Sequence, residues 1–149
     1  MWGYSSAKLS ADSILLRHFH GEAWGLKMYE VLARSRIAVN RHGDIAEGFA
    51  NNMRLFEATG VGALLVTEAA SNLADLFEPG TEIVAYENGD DLVDKLSYYL
   101  EHPDERRSIA AAGQARTLRT HNFALRMSEL AEILEARLAK RSRAKQARG

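Results

Sequence analysis

Apolar runs and helically spaced apolar positions alternate along most of this chain. Residues 1–12 carry little pattern. Ile14-Leu15-Leu16 is a short apolar run, a strand or the remnant of one, and His20-Gly21-Glu22 is a break. From Ala23, the positions Trp24, Met28, Val31 and Leu32 fall on one helical face, which ends near Ser35. Arg36-Ile37-Ala38-Val39-Asn40 suits a buried strand. Residues 41–48 are polar and bounded by glycine, so they predict a loop. The next helix is expected to start near Asn51, capped by that asparagine, and to end at Gly60. Ala63-Leu64-Leu65-Val66-Thr67 is a continuous apolar run, as in a strand covered on both faces. A short helix over 72–77 is stopped by Pro79-Gly80, and Glu82-Ile83-Val84-Ala85-Tyr86 is a third strand. Asn88-Gly89-Asp90-Asp91 predicts a turn and a helix cap. Leu92, Leu96, Tyr99 and Leu100 mark the helix that follows, which Pro103 closes while starting another, to about Leu118. A last amphipathic helix is expected over 123–138, carrying Met127, Leu130, Ile133 and Leu134.

Strands alternating with helices predict an α/β fold, a Rossmann-like parallel sheet flanked by helices. Three firm strands are few for such a sheet. Either strands precede residue 1 in the natural protein or the Ile14 run supplies one. The expected division is an N-terminal segment or strand remnant (1–20), the Rossmann-like domain (21–121), and a C-terminal helix with a basic tail (122–149).

Composition narrows the function classes. The chain has 149 residues, 46% hydrophobic and 26% charged, enough for one domain with a real core. A net charge of −1 provides no field toward nucleic acid. The absence of cysteine excludes disulfides, thiolate chemistry and cysteine-held metals. No apolar stretch is long enough to span a bilayer, and the N-terminus does not read as a signal peptide, so the expected location is cytoplasmic. Among the five histidines, His18 and His20 have no third ligand at a suitable spacing, so no metal site is expected. Gly60-Val61-Gly62 lacks the third glycine of a dinucleotide fingerprint and leads into a strand rather than a helix. There is no Walker-type loop and no Gly-x-Ser-x-Gly elbow.

Ligands of open parallel sheets bind beyond the carboxyl ends of the strands, here Asn40, Thr67 and Tyr86. The helix entered through Asn51 and Asn52 offers free backbone N–H groups there, a seat for a phosphate. Arg54 and Glu57 lie three apart and share a face. Two readings stand for this pair. It supplies a guanidinium for a diphosphate and a carboxylate for sugar hydroxyls, or it is a surface ion pair worth a few tenths of a kcal/mol (about 0.2–0.5). His42, just past a strand end, is either a wall of the pocket or an ordinary loop histidine.

The run Asn51-Asn52-Met53-Arg54-Leu55-Phe56-Glu57-Ala58-Thr59-Gly60 resembles the glycosyl transferase group 1 superfamily, and within it the spore-maturation-protein (CgeB-like) branch. Met28-Tyr29-Glu30, Ser35 through His42, Asn72-Leu73, Asp75 through Gly80, and Tyr98-Tyr99-Leu100 with Pro103 and Glu105-Arg106 agree in order. The resemblance covers roughly residues 21–134. It implies a two-Rossmann-domain (GT-B) glycosyltransferase, of which this chain is the C-terminal, donor-binding half, with the N-terminal acceptor half missing. It implies that Glu57 binds ribose hydroxyls. It also implies an earlier glutamate on the donor sugar. The place its spacing gives is Phe49, and the nearest glutamate is Glu47. Transfer from a nucleotide-diphosphate sugar without metal or cofactor, with retention of configuration, is the implied chemistry. No residue is assigned as catalytic.

The rival expectation is a non-catalytic Rossmann-like module that holds a nucleotide or a protein. A receiver-like signalling domain is disfavoured, because no acidic cluster follows Val39. The face toward the absent half is expected to be apolar, covered by Trp2, Tyr4 and the Ile14 run or paired with a second copy of the chain.

Overall fold

The computed structural model describes Trp2, residues 10–43 and residues 46–146. Tyr4 lies outside the described residues. In chain order the elements are α1 (Ile14–Arg17), α2 (Leu26–Arg34), β1 (Ile37–Asn40), α3 (Arg54–Gly60), β2 (Leu64–Glu68), α4 (Leu73–Leu76), β3 (Val84–Tyr86), α5 (Gly89–Glu101), α6 (Pro103–Thr120) and α7 (Phe123–Gln146).

The three strands form a parallel sheet in the order β1-β2-β3. Asn40 is level with Thr67, and Glu68 with Tyr86, so polar residues that close apolar runs come together along one sheet edge. Successive strand residues face opposite layers. Ala38, Leu65 and Ile83 meet Leu32, Leu55, Ala58 and Phe77 beneath α2 and α3. Leu64, Val66, Val84 and Tyr86 meet Tyr99, Ile109 and Ala110 of α5 and α6. Leu64 through Thr67 are all fully buried, which is why this run reads as continuously apolar. The fold is therefore α/β, a Rossmann-like parallel sheet flanked by helices.

Two local expectations are corrected. The Ile14 run is a helical turn, not a strand. Ser13 Oγ accepts from the Leu15 N–H, and the His18 N–H returns to the carbonyls of Leu15 and Leu16. These backbone groups are thus paired locally rather than across the sheet, and Ile14 and Leu15 are exposed. The helix expected from Asn51 begins at Arg54, with Met53 at its cap and no side-chain capping bond. Asn51 is exposed, and the Asn52 amide is drawn instead to the strand ends. The expected cap before α5 is present: Asn88 Oδ1 accepts from the Asp91 N–H at 3.0 Å. α7 runs to Gln146, beyond the expected end at 138. No helix among the described residues is long and apolar enough to cross a membrane.

Candidate functional site

The carboxyl ends of β1 and β2 carry a connected polar cluster. Asn40 Nδ2 donates to Thr67 Oγ1 at 2.9 Å, and both residues are buried. Asn52, on the segment entering α3, donates from Nδ2 to Asn40 Oδ1 at 3.0 Å and to the Arg41 carbonyl at 3.3 Å. The buried His42 ring lies between these groups, with Nδ1 3.5 Å from Asn52 Nδ2 and Nε2 3.4 Å from Thr67 Oγ1. Its backbone N–H donates to Glu68 Oε2 at 2.9 Å, and the other Glu68 oxygen is 3.9 Å from Arg41 Nε. From β3, the Tyr86 hydroxyl reaches past β2 to donate to the Asn40 carbonyl at 3.0 Å. Burial and the nearby Glu68 carboxylate raise the Tyr86 pKa, an effect that Arg41 partly opposes.

A second construction holds the loop between β1 and α3. The Gly48 carbonyl accepts from both the N–H and the hydroxyl of Ser71. Asn72 brackets Ala50, accepting its N–H at 2.7 Å and donating to its carbonyl at 3.1 Å. Between these anchors and the end of β1, Glu47 takes a left-handed conformation, φ 48°, that non-glycine residues rarely adopt, followed by Gly48 at φ 82°. The side chain of Glu47 is exposed. Strain of this kind persists where surrounding bonds over-determine the backbone, and the Ser71 and Asn72 bonds do so here.

Arg54 and Glu57 do meet, with Nη1 3.4 Å from Oε2. Their side chains are 36% and 14% exposed, so the carboxylate is largely covered rather than solvated. Arg54 lines a groove of about 590 Å³ along α2 and the free edge of β1, together with Trp24, Met28, Leu32 and Val39. Trp2 lines the same groove, its ring 5.6 Å from that of His20. Among the described residues, no hydrogen bond joins the Arg54–Glu57 pair to the Asn40–Thr67 cluster.

The structure therefore brings His42 and Asn52 into one cluster. Arg54 and Glu57 are paired with each other on α3, with Arg54 lining the groove along α2 and β1, and Glu47 and Asn51 are exposed on the intervening loop. Asn40, Thr67, Glu68 and Tyr86 complete the cluster and were not singled out as site residues from sequence. The signal that marks them is positional: each is a polar or hydroxyl-bearing residue closing an apolar strand. Among the described residues, no three His, Asp or Glu side chains are grouped to hold a metal ion.

A parallel sheet with helices on both layers and a polar cluster at the carboxyl ends of its strands is a Rossmann-like domain. Residues 2–132 match the model of the glycosyl transferase-like family, and the chain belongs to that family. Among solved structures, HepE from Anabaena in complex with UDP-glucose superposes with a TM-score of 0.67 at 21% identity, over 79% of this chain and 32% of that one. The same protein in complex with UDP gives 0.65 at 18% identity. Sucrose-phosphate synthase from Thermosynechococcus elongatus gives 0.61 at 18% identity, over 79% of this chain and 30% of that one. The fold is thus shared with part of a GT-B glycosyltransferase, and the chain spans about a third of these relatives' length. Comparison with curated proteins gives no match.

Proposed function

We propose that this chain is the C-terminal, donor-binding domain of a GT-B glycosyltransferase of the spore-maturation-protein (CgeB-like) branch. In this reading it holds a nucleotide-diphosphate sugar whose glycosyl group passes to an acceptor on a second Rossmann-like domain. The observation that carries the reading is the buried polar cluster at the carboxyl ends of β1 and β2. This is where open parallel sheets receive ligands, in a fold that HepE shares and in which HepE was solved with UDP-glucose.

The roles follow from chemistry and position. The Arg54 guanidinium stabilises the diphosphate as negative charge grows on it during departure. The chain entering α3 at Asn51 lies alongside. Glu57, largely covered and held by Arg54, accepts from ribose hydroxyls and fixes the nucleotide. Glu47, presented by a strained and anchored loop, faces the sugar. His42 walls the pocket. No cofactor or metal takes part, and the protein's contribution is electrostatic and positional.

Calorimetric titration with uridine, guanosine and adenosine diphosphates tests this. The expected result is weak binding of one of them and no glycosyl transfer by the chain alone, because a GT-B site closes between two domains. A folded chain that binds none of the three contradicts the reading. Tight binding of a diphosphate without transfer, even when an acceptor domain is supplied, favours the non-catalytic module instead.

A further inference from the structure

β1 pairs with β2 on one side, and no described strand lies along its other edge. Free edges are ordinarily blunted by charge, by proline or by a covering element. The run Ile37-Ala38-Val39-Asn40 holds neither charge nor proline, and Val39 is 48% exposed. The direction of the backbone groups is also set. The Asn40 carbonyl points inward across the sheet, where it accepts from the Tyr86 hydroxyl at 3.0 Å. N–H and C=O groups alternate sides from one strand residue to the next, so those of Ile37 and Val39 point out of the edge. Beside the edge runs the groove of about 590 Å³, walled by Trp24 and by Met28, Val31 and Leu32 of α2. The chain exposes 10548 Å² of accessible surface, where a monomer of its length exposes about 7,500 Å². Part of that surplus lies on α7, but a standard interface takes only about 800 Å² from each partner.

We propose that the β1 edge joins the same edge of a second copy of this chain, antiparallel, about a two-fold axis at Ala38. Symmetry and alternation together select this register. Two strands pair only where outward-pointing backbone meets outward-pointing backbone. With the axis at Ala38, Ile37 of each copy stands opposite Val39 of the other. Each such pair exchanges both N–H···O bonds, and its two apolar side chains meet on one face of the sheet. Ala38 then faces its own counterpart, and Arg36 faces Asn40. An axis between Ala38 and Val39 fails on both counts: it sets Ile37 against Asn40, whose carbonyl points inward, and Arg36 against Arg41. The contact is self-complementary and closes as a dimer. It yields one six-stranded sheet without a free β1 edge. Residues paired across strands point to the same face, so both α2 helices lie on one face, and Trp24 and Met28 of each copy border the joined groove. The two polar clusters lie at opposite ends of the joined sheet.

Sedimentation velocity at rising concentration tests this, with the wild-type chain, Val39→Lys and Leu134→Lys run side by side. The first variant charges the centre of the proposed contact. The second charges α7, where Leu134 is 53% exposed. The expected result is that the wild type and Leu134→Lys sediment as dimers, while Val39→Lys raises the dissociation constant of the dimer at least about tenfold. A wild type that stays monomeric at every concentration overturns the proposal. So does a dimer that survives Val39→Lys, or one that Leu134→Lys alone abolishes, which would place the contact on α7. Should Val39→Lys fail to fold, amide exchange in the wild type, followed by NMR, decides. The Ile37 and Val39 amides are expected to exchange more slowly as concentration rises, because both donate across the joined edge. Amides that exchange equally fast in dilute and concentrated samples overturn the proposal. Neither readout involves a nucleotide, so the proposal stands or falls apart from the nucleotide-sugar reading.

Discussion

Tyr86 ties the third strand to the first through a single hydroxyl on the Asn40 carbonyl. Replacing it by phenylalanine keeps the ring in the core and removes that bond, so Tyr86→Phe should cost about 0.5–1.5 kcal/mol at neutral pH. The pH dependence follows from the raised Tyr86 pKa. A raised value means that the folded state favours the protonated phenol. Its stabilisation is complete below the unfolded tyrosine value and is lost as pH rises through the folded one. The stability gap between wild type and Tyr86→Phe should therefore shrink in alkali, as read by urea melts across pH. A gap that is constant or widens contradicts the assignment. Glu57 separates the two readings of its pair with Arg54. Glu57→Gln should alter stability by less than about 0.5 kcal/mol and weaken UDP binding about tenfold. Unchanged affinity would return the pair to a purely structural role. At this scale the sequence was only partly legible. The three-residue spacing of Arg54 and Glu57 forecast their meeting, because helix geometry is local. The roles of Asn40 and Thr67 depend on strand register, a long-range relation that no local pattern carries.

At the scale of elements, the strands, α2 and α5 were legible because burial on one side leaves a period in the sequence, whereas the apolar positions of α7 are exposed. β2 reads as unbroken apolar residues since both its layers are covered. The misreadings fell where tertiary contacts overrode local preference. The helix expected to be capped by Asn51 starts at Arg54, after the Asn52 amide has been drawn to the end of β1, and the Ile14 run closes on itself as a helical turn. One packing constraint was invisible in the sequence. α6 passes so close to the segment before β3 that a Cβ on Gly113 would collide with the Glu82 carbonyl. The Cβ would meet backbone rather than a movable side chain. Gly113→Ala should therefore destabilise the chain by about 1–3 kcal/mol, despite alanine's better helix propensity of about 1 kcal/mol. A urea melt that shows a stabilised variant would mean that α6 can back away from the sheet.

Over the whole molecule, the two ends of the sheet carry different sets of polar bonds. At the carboxyl edge lie the Asn40–Thr67 cluster, the anchored loop at Glu47 and Gly48, and the start of α3. At the opposite end, Thr59 bonds Thr117 at 2.6 Å and Gln114 reaches the Gly60 carbonyl at 3.1 Å, joining α6 to α3. The groove along β1 and the length of α7 leave apolar side chains exposed, among them Trp24, Val39, Leu130 and Leu134. The chain covers only about a third of the solved glycosyltransferases it resembles. The central claim is that the carboxyl-edge cluster receives the nucleotide. The direct measurement is a titration of isotope-labelled chain with UDP-glucose, followed residue by residue through backbone amide shifts. The account predicts changes concentrated at Asn40, His42, Gly48, Asn52, Arg54 and Thr67, with Gly113, Gln114 and Thr117 unmoved. Saturable binding that shifts the Gly113–Thr117 end and leaves the strand ends still would contradict it.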